Sequence, residues 1–119
     1  TEPKPQPEPT EGLITIDQFF QTTLKVGTIV SAEALPKSKK LLKIQVDVGE
    51  ERARQVIAGI KEHYEPDALV GTQACLVANL KPAKLMGERS EGMLLAAHDG
   101  EGLCLIRPEN RKQEGTVIK

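Results

Sequence analysis

The residues best equipped for chemistry in this chain are cations gathered at two sites. Lys37, Lys39, Lys40 and Lys43 fall within seven residues that contain no acid. Farther on, the run Asn79-Leu80-Lys81-Pro82-Ala83-Lys84-Leu85-Met86-Gly87-Glu88-Arg89-Ser90-Glu91-Gly92-Met93 carries three cations, an Asn amide, a Ser hydroxyl and a Met directly after a Gly. It lies between the apolar runs Leu76-Val77-Ala78 and Leu94-Leu95-Ala96-Ala97 and reads as a polar loop, too long for a tight hairpin. Cations attract phosphates, and neutral polar groups position sugar or backbone oxygens without specifying sequence. The chemistry suggested is polyanion binding; the plainer alternative is a solvated connection whose lysines keep it soluble.

Composition restricts other chemistries. Net charge is −1, so overall basicity does not advertise a nucleic-acid partner, but segregated charge can act where the total is near neutral. The aromatics are Phe19, Phe20 and Tyr64, none in either cationic stretch, so a platform stacking unpaired bases is not expected. His63 and His98 are far apart in the chain, and neither joins enough ligands for a metal site. Cys75 and Cys104 each stand alone in apolar runs, as reduced, buried thiols of a cytoplasmic protein would. Glu50-Glu51 reads as a solvated turn, and Gly100-Glu101-Gly102 lacks the helix a phosphate loop needs. No catalytic constellation, cofactor motif or membrane-spanning run is evident.

The positioning elements follow from pattern. Residues 1–13 form a Pro-rich linker, with prolines at alternate positions from Pro3 to Pro9. The chain lacks an initiator Met, so it is read as part of a longer or processed protein. Thr15–Gln21 reads as a short helix capped by Thr15 or Asp17, with Phe19 or Phe20 packing down on the domain. Leu24–Leu35 is strand-like, with Gly27 a candidate bend or bulge. Leu42, Ile44, Val46 and Val48 alternate with Lys43, Gln45 and Asp47, the clearest half-buried strand. Arg54–Ile60 makes a third strand, and residues 61–71 a turn and short helix with Pro66 at its start and Gly71 after its end. Thr72–Ala78 and Met93–His98 are the fourth and fifth strands, followed by Leu103–Ile106 and Thr116–Ile118.

Five strands with a helix between the third and fourth give an all-β, five-stranded OB-fold barrel with short helices and a C-terminal β extension over residues 14–119. In that fold the loops after strand one and between strands four and five bind oligonucleotides. Here those loops are Pro36–Lys40 and Asn79–Gly92, the two cationic stretches.

Lys25-Val26-Gly27-Thr28-Ile29, Leu41-Leu42, Val46-Asp47-Val48-Gly49, Ile57-Ala58-Gly59-Ile60, Leu69-Val70-Gly71, Asn79-Leu80-Lys81-Pro82 and Ser90-Glu91-Gly92-Met93 resemble the tRNA-binding domain family. That family includes the C-terminal domain of methionyl-tRNA synthetase and free-standing bacterial tRNA-binding proteins. The resemblance covers residues 14–119 and, with the Pro-rich tether, looks most like the synthetase appendix. It implies recognition of tRNA by shape, near the outer corner of the L and not through the anticodon, and a homodimer joined partly through the C-terminal extension. It carries RNA-facing roles onto Lys40, Asn79, Lys81, Lys84, Ser90 and Met93. Lys39 stands where the family usually has an acid, and Lys25 where Arg is common, which puts a bidentate contact from that position in doubt.

The expected division of labour is therefore specific. Lys37, Lys39, Lys40, Lys81 and Lys84 supply charge to phosphates. Asn79 and Ser90 bond ribose or backbone oxygens, Gly92 allows close approach, and Met93 packs on a ribose or exposed base, with core filling as its plainer role. The partners expected are tRNA, a second copy and an upstream synthetase catalytic region. Alternatives are a free-standing tRNA-binding chaperone and a protein–protein docking module of a synthetase complex; a single-stranded DNA binder would need loop aromatics.

Overall fold

The computed structural model describes residues 12–119, so the expected linker falls outside the described residues up to residue 11. The elements are α1 (Ile16–Phe19), β1 (Leu24–Ala34), β2 (Leu42–Asp47), β3 (Arg54–Ala58), α2 (Pro66–Leu69), β4 (Gln73–Val77), β5 (Ala83–Leu85), β6 (Glu88–Ser90), β7 (Met93–Leu94), β8 (Ala96–His98), β9 (Leu103–Leu105) and β10 (Val117–Ile118). Thr15 caps α1, and its hydroxyl and the Gln18 side chain each take the other's backbone N–H. Pro66 opens α2 where its missing N–H costs nothing.

Hydrogen-bonded strands run in the order β3-β2-β1-β4-β7, all antiparallel, and β3 lies against β7 to close the barrel. This is the expected five-stranded OB-type barrel, with α2 between its third and fourth strands. β1 serves both halves: its start pairs with β4 and its end with β2. Alternation in β2 puts Leu42, Ile44 and Val46 wholly inside and Lys43, Gln45 and Asp47 toward solvent. These residues join Ile29, Val56, Leu69 and Leu76 in one core, each worth about 1.5–3 kcal/mol on burial. The C-terminal extension is sewn to the barrel. β10 pairs with the start of β1, Thr28 Oγ1 donates to Glu114 at 2.9 Å, and the Gln73 amide brackets the Lys112 backbone at 2.9 and 2.6 Å.

Five local expectations are corrected. The β1 irregularity falls between Ile29 and Ser31, not at Gly27; Gly27 is required because a Cβ there would strike Val46. The Asn79–Gly92 segment is not an open loop. It folds back as the β5–β6 hairpin, whose turn residues Met86 and Gly87 have φ of 53° and 81°, the left-handed pair that a two-residue hairpin turn demands. The fifth strand divides at Leu95: β7 stays in the barrel while β8 leaves to pair with β9. That departure exposes Cys104, whereas Cys75 is buried as expected, and burial pushes its thiol up. It also carries His98 to His63, with ring centroids 5.7 Å apart; among the described residues no group of three or more metal-ligating side chains forms.

Candidate nucleic-acid interface

The first cationic bend is shaped by Ser38. Its Oγ accepts from the N–H groups of Lys40 and Leu41, each at 3.1 Å, and its carbonyl takes the Lys61 ammonium at 3.0 Å. Lys61 N–H also donates to the Lys40 carbonyl at 3.1 Å. These bonds turn the backbone so that Lys37, Lys39 and Lys40 all project into solvent. Lys43, one turn of the pleat further, is held by Glu33 at 3.2 Å and Glu88 at 3.7 Å.

The second bend reaches the first. Leu35, Pro36 and Lys37 form one shallow groove with Met86 and Glu88, so the tip of the β5–β6 hairpin lies beside the Pro36–Lys40 loop. Lys81 and Lys84 stand exposed on the hairpin's approach and first strand. Met93, at the hairpin's root, is 48% exposed and therefore open to a partner instead of filling the core.

The hairpin is anchored by residues that the sequence had placed elsewhere. Ser90 is only 7% exposed; its Oγ accepts from Ile57 N–H at 3.0 Å and donates to the Gly92 carbonyl at 3.2 Å. Its hydroxyl holds β6 to β3, with both its hydrogen bonds made inside the fold. The Asn79 amide accepts from Thr23 N–H at 2.9 Å and donates to the Gln21 carbonyl at 2.6 Å, fixing the α1–β1 connection to the hairpin's root. At Gly92 a Cβ would meet the Val77 carbonyl at 3.0 Å and Leu76 at 3.4 Å, so the missing side chain lets the chain approach β4 closely. Of the nine expected contact residues, the structure leaves Lys37, Lys39, Lys40, Lys81, Lys84 and Met93 accessible, ties Ser90 and Gly92 into the fold, and uses the Asn79 amide in a structural bridge while leaving that residue exposed.

Arg54 completes the anchor. Its Nη1 donates to the carbonyls of Ala78 and Glu91, the residues that immediately flank the 79–90 segment. Its Nε and Nη2 grip Glu50, each at 3.0 Å. The Arg54 hydrogen bonds hold the Glu50 carboxyl below its ordinary value, so the turn is solvated as expected and Glu50 on it is also ion-paired. Nearby, Glu91 receives both guanidinium ends of Arg52 at 3.0 and 2.6 Å and the Gln55 N–H at 3.2 Å. The Arg52 hydrogen bonds and the Gln55 N–H bring Glu91 down to about 2 against the cost of burial. Arg52 and Arg54 escaped the sequence reading because it weighed acid-free lysine runs, and Arg89 was counted in the second cationic stretch but given no role; the i, i+4 spacing of Glu50 and Arg54 was the available signal.

An OB-type barrel with cationic loops at both binding positions defines a nucleic-acid-binding module in shape, and homology narrows the class: residues 24–117 match the tRNA binding domain family, to which this chain belongs. The methionine–tRNA ligase of Helicobacter pylori strain J99 is 52% identical over 112 residues, and the match covers 94% of this chain. The chain spans only 17% of that ligase's length. Among solved structures, a MetRS-related protein from Pyrococcus horikoshii superposes with a TM-score of 0.83 at 34% identity, covering 90% of this chain and 98% of that one. The chaperone CsaA of Bacillus anthracis gives 0.81 at 28% identity, covering 91% and 100%.

Proposed function

We propose that this chain is a tRNA-binding module of a methionine–tRNA ligase, holding folded tRNA by its phosphates. The observation that carries the reading is the meeting of the Pro36–Lys40 loop with the β5–β6 hairpin tip, which joins two cationic bends into one surface. Lys37, Lys39, Lys40, Lys81 and Lys84 contact phosphates, and Met93 packs against a ribose or base. Five such contacts give a salt slope on the order of 3.5–4.5. With no aromatic side chain in either bend, recognition rests on backbone shape, not stacked bases or the anticodon. Joined to a catalytic region, the module raises the local concentration of tRNA without taking part in chemistry.

Self-association belongs to the same proposal. α1 has no buried residue, and Leu13, Ile14, Ile16 and Phe20 are exposed there; Val117 is exposed on β10, which pairs with the start of β1. A second copy of the chain would cover these groups, and sedimentation as a monomer at high micromolar concentration excludes it. The binding proposal is tested by gel shift of tRNA, an acceptor-stem minihelix and single-stranded RNA at two salt concentrations. Tight, salt-sensitive tRNA binding with weak single-strand binding supports it. Equal affinity for all three, or none for tRNA, rejects it.

A further inference from the structure

On the outer face of the hairpin, Arg89 of the second bend meets a cation from outside both bends. Arg89 on β6 stands opposite Lys84 on β5 in the antiparallel register, so both side chains leave the same face of the hairpin. Arg52 comes from the β2–β3 turn to meet Arg89 at the Glu91 carboxylate. Arg52, Arg89, Glu91, Gln45 and Gln55 line one concavity on the solvent side of β2 and β3. Arg52 is 73% exposed and Arg89 62%, whereas the Glu91 carboxylate between them is 11% exposed.

These exposures decide what the group can do. A buried carboxylate that only needed neutralising is satisfied by Arg52 alone, which grips it with two parallel hydrogen bonds. Arg89 approaches the same carboxylate through Nε at 3.5 Å while most of its side chain stays exposed. Glu91 thus braces Arg52 through two hydrogen bonds and draws Arg89 to the same edge of the concavity by charge. The floor is rigid as well: Gln45 Nε2 donates to Gln55 Oε1 at 3.1 Å, and Gln55 Nε2 to the Arg89 carbonyl at 2.7 Å. Arg52 and Arg89 line the concavity with Glu91, Lys84 lies beside Arg89 across the hairpin, and the Glu88 carboxylate reaches the floor through Gln55 Nε2 at 3.4 Å. Pre-set guanidinium forks of this kind match phosphate oxygens better than mobile ammonium groups do.

We infer that Arg52 and Arg89, braced by Glu91, form a further phosphate subsite for the RNA backbone, with Lys84 alongside. Glu88 lines the groove beside the first bend and accepts from Gln55 Nε2 on the floor of this concavity at 3.4 Å, so the subsite adjoins the loop cradle across that one carboxylate. The inference rests on the tRNA-binding reading above and adds a position at which the RNA is held.

The test compares two substitutions of equal charge in the full chain, read by anisotropy of labelled, folded tRNA from 50 to 200 mM salt. Arg89→Gln should weaken binding by about three- to tenfold and lower the salt slope by about 0.7–0.9, the value of one lost phosphate. Lys112→Gln, on the C-terminal extension, should change neither appreciably. Arg89→Lys should restore the slope but only part of the affinity, because charge returns without the fork. Arg52→Lys serves as a second probe should a variant at Arg89 fold poorly, with thermal melts as the check. A wild type that binds tRNA while Arg89→Gln and Arg52→Lys bind it equally well overturns the subsite and leaves the loop cradle standing. Equal losses for Arg89→Gln and Lys112→Gln also overturn it, since only general charge would then matter. A wild type with no affinity for tRNA removes both this inference and the reading beneath it.

Discussion

Replacing Arg54 with Met should loosen the β5–β6 hairpin more than any other single change that spares the core. The guanidinium bonds the carbonyls on both sides of the hairpin's neck, Ala78 and Glu91, while its other edge grips Glu50. Met preserves most of the aliphatic stem but removes every donor. Each partly buried carbonyl left without its charged partner costs about 1–2 kcal/mol. Glu50 is 40% exposed, so losing its pair adds about 0.5 kcal/mol at most. The sum is roughly 2–4 kcal/mol, a large part of a stability of about 5–15 kcal/mol, and lowers Tm by about 10 °C or more. Urea unfolding measures the global loss, and hydrogen exchange at the Glu91 amide, which donates to the Gln55 carbonyl at 2.7 Å, measures the local one. Glu50→Gln, which leaves both carbonyl bonds intact, should cost far less. Stability within about 0.5 kcal/mol of wild type with unchanged exchange at Glu91 would show that Arg54 does not hold the neck.

Ser90→Ala should destabilise by about 1–3 kcal/mol by leaving the Ile57 N–H without its acceptor; below the melting range its affinity for tRNA at fixed salt should match wild type, and a weaker affinity would return Ser90 to the RNA surface. Glu91 contributes stability fully present above its unfolded value near 4.5 and lost as pH falls toward about 2. At 1.36 kcal/mol per unit the shift corresponds to roughly 3 kcal/mol, reduced to about 1–2 kcal/mol because the Arg52 partner is solvated. Urea melts from pH 6 to pH 2.5 should show this acid-side loss in wild type and a shallower one in Glu91→Gln; parallel curves would remove Glu91 as its source.

The barrel was legible because its signals are local and agree with one another. Alternation across Leu42–Val48 set one strand and its inner face, Pro66 and Gly71 bounded the short helix, and the strand order then assigned the two loops. Other features depend on partners far apart in sequence. A Met-Gly turn does not announce itself as Asn-Gly does, so the β5–β6 hairpin passed for an open loop. Ser90, Asn79 and Gly92 belong to motifs whose resemblance marked them as RNA-facing. Only the placement of Ile57, Thr23, Gln21 and Val77 reveals that these three build the hairpin's base. His63 and His98 meet because β8 turns away at Leu95, a departure that no periodicity encodes. The lysines were readable since an exposed cation needs no partner to be recognised.

The central claim is that the two lysine-bearing bends act together on the phosphates of one folded tRNA. Its most direct measurement is the salt dependence of tRNA affinity for wild type, Lys39→Ala/Lys40→Ala, Lys81→Ala/Lys84→Ala and the fourfold variant. Each double substitution should lower the slope by about 1.4–1.8, and the fourfold variant by about the sum, with all tRNAs affected alike. Unchanged affinity and slope in either double variant would contradict the account.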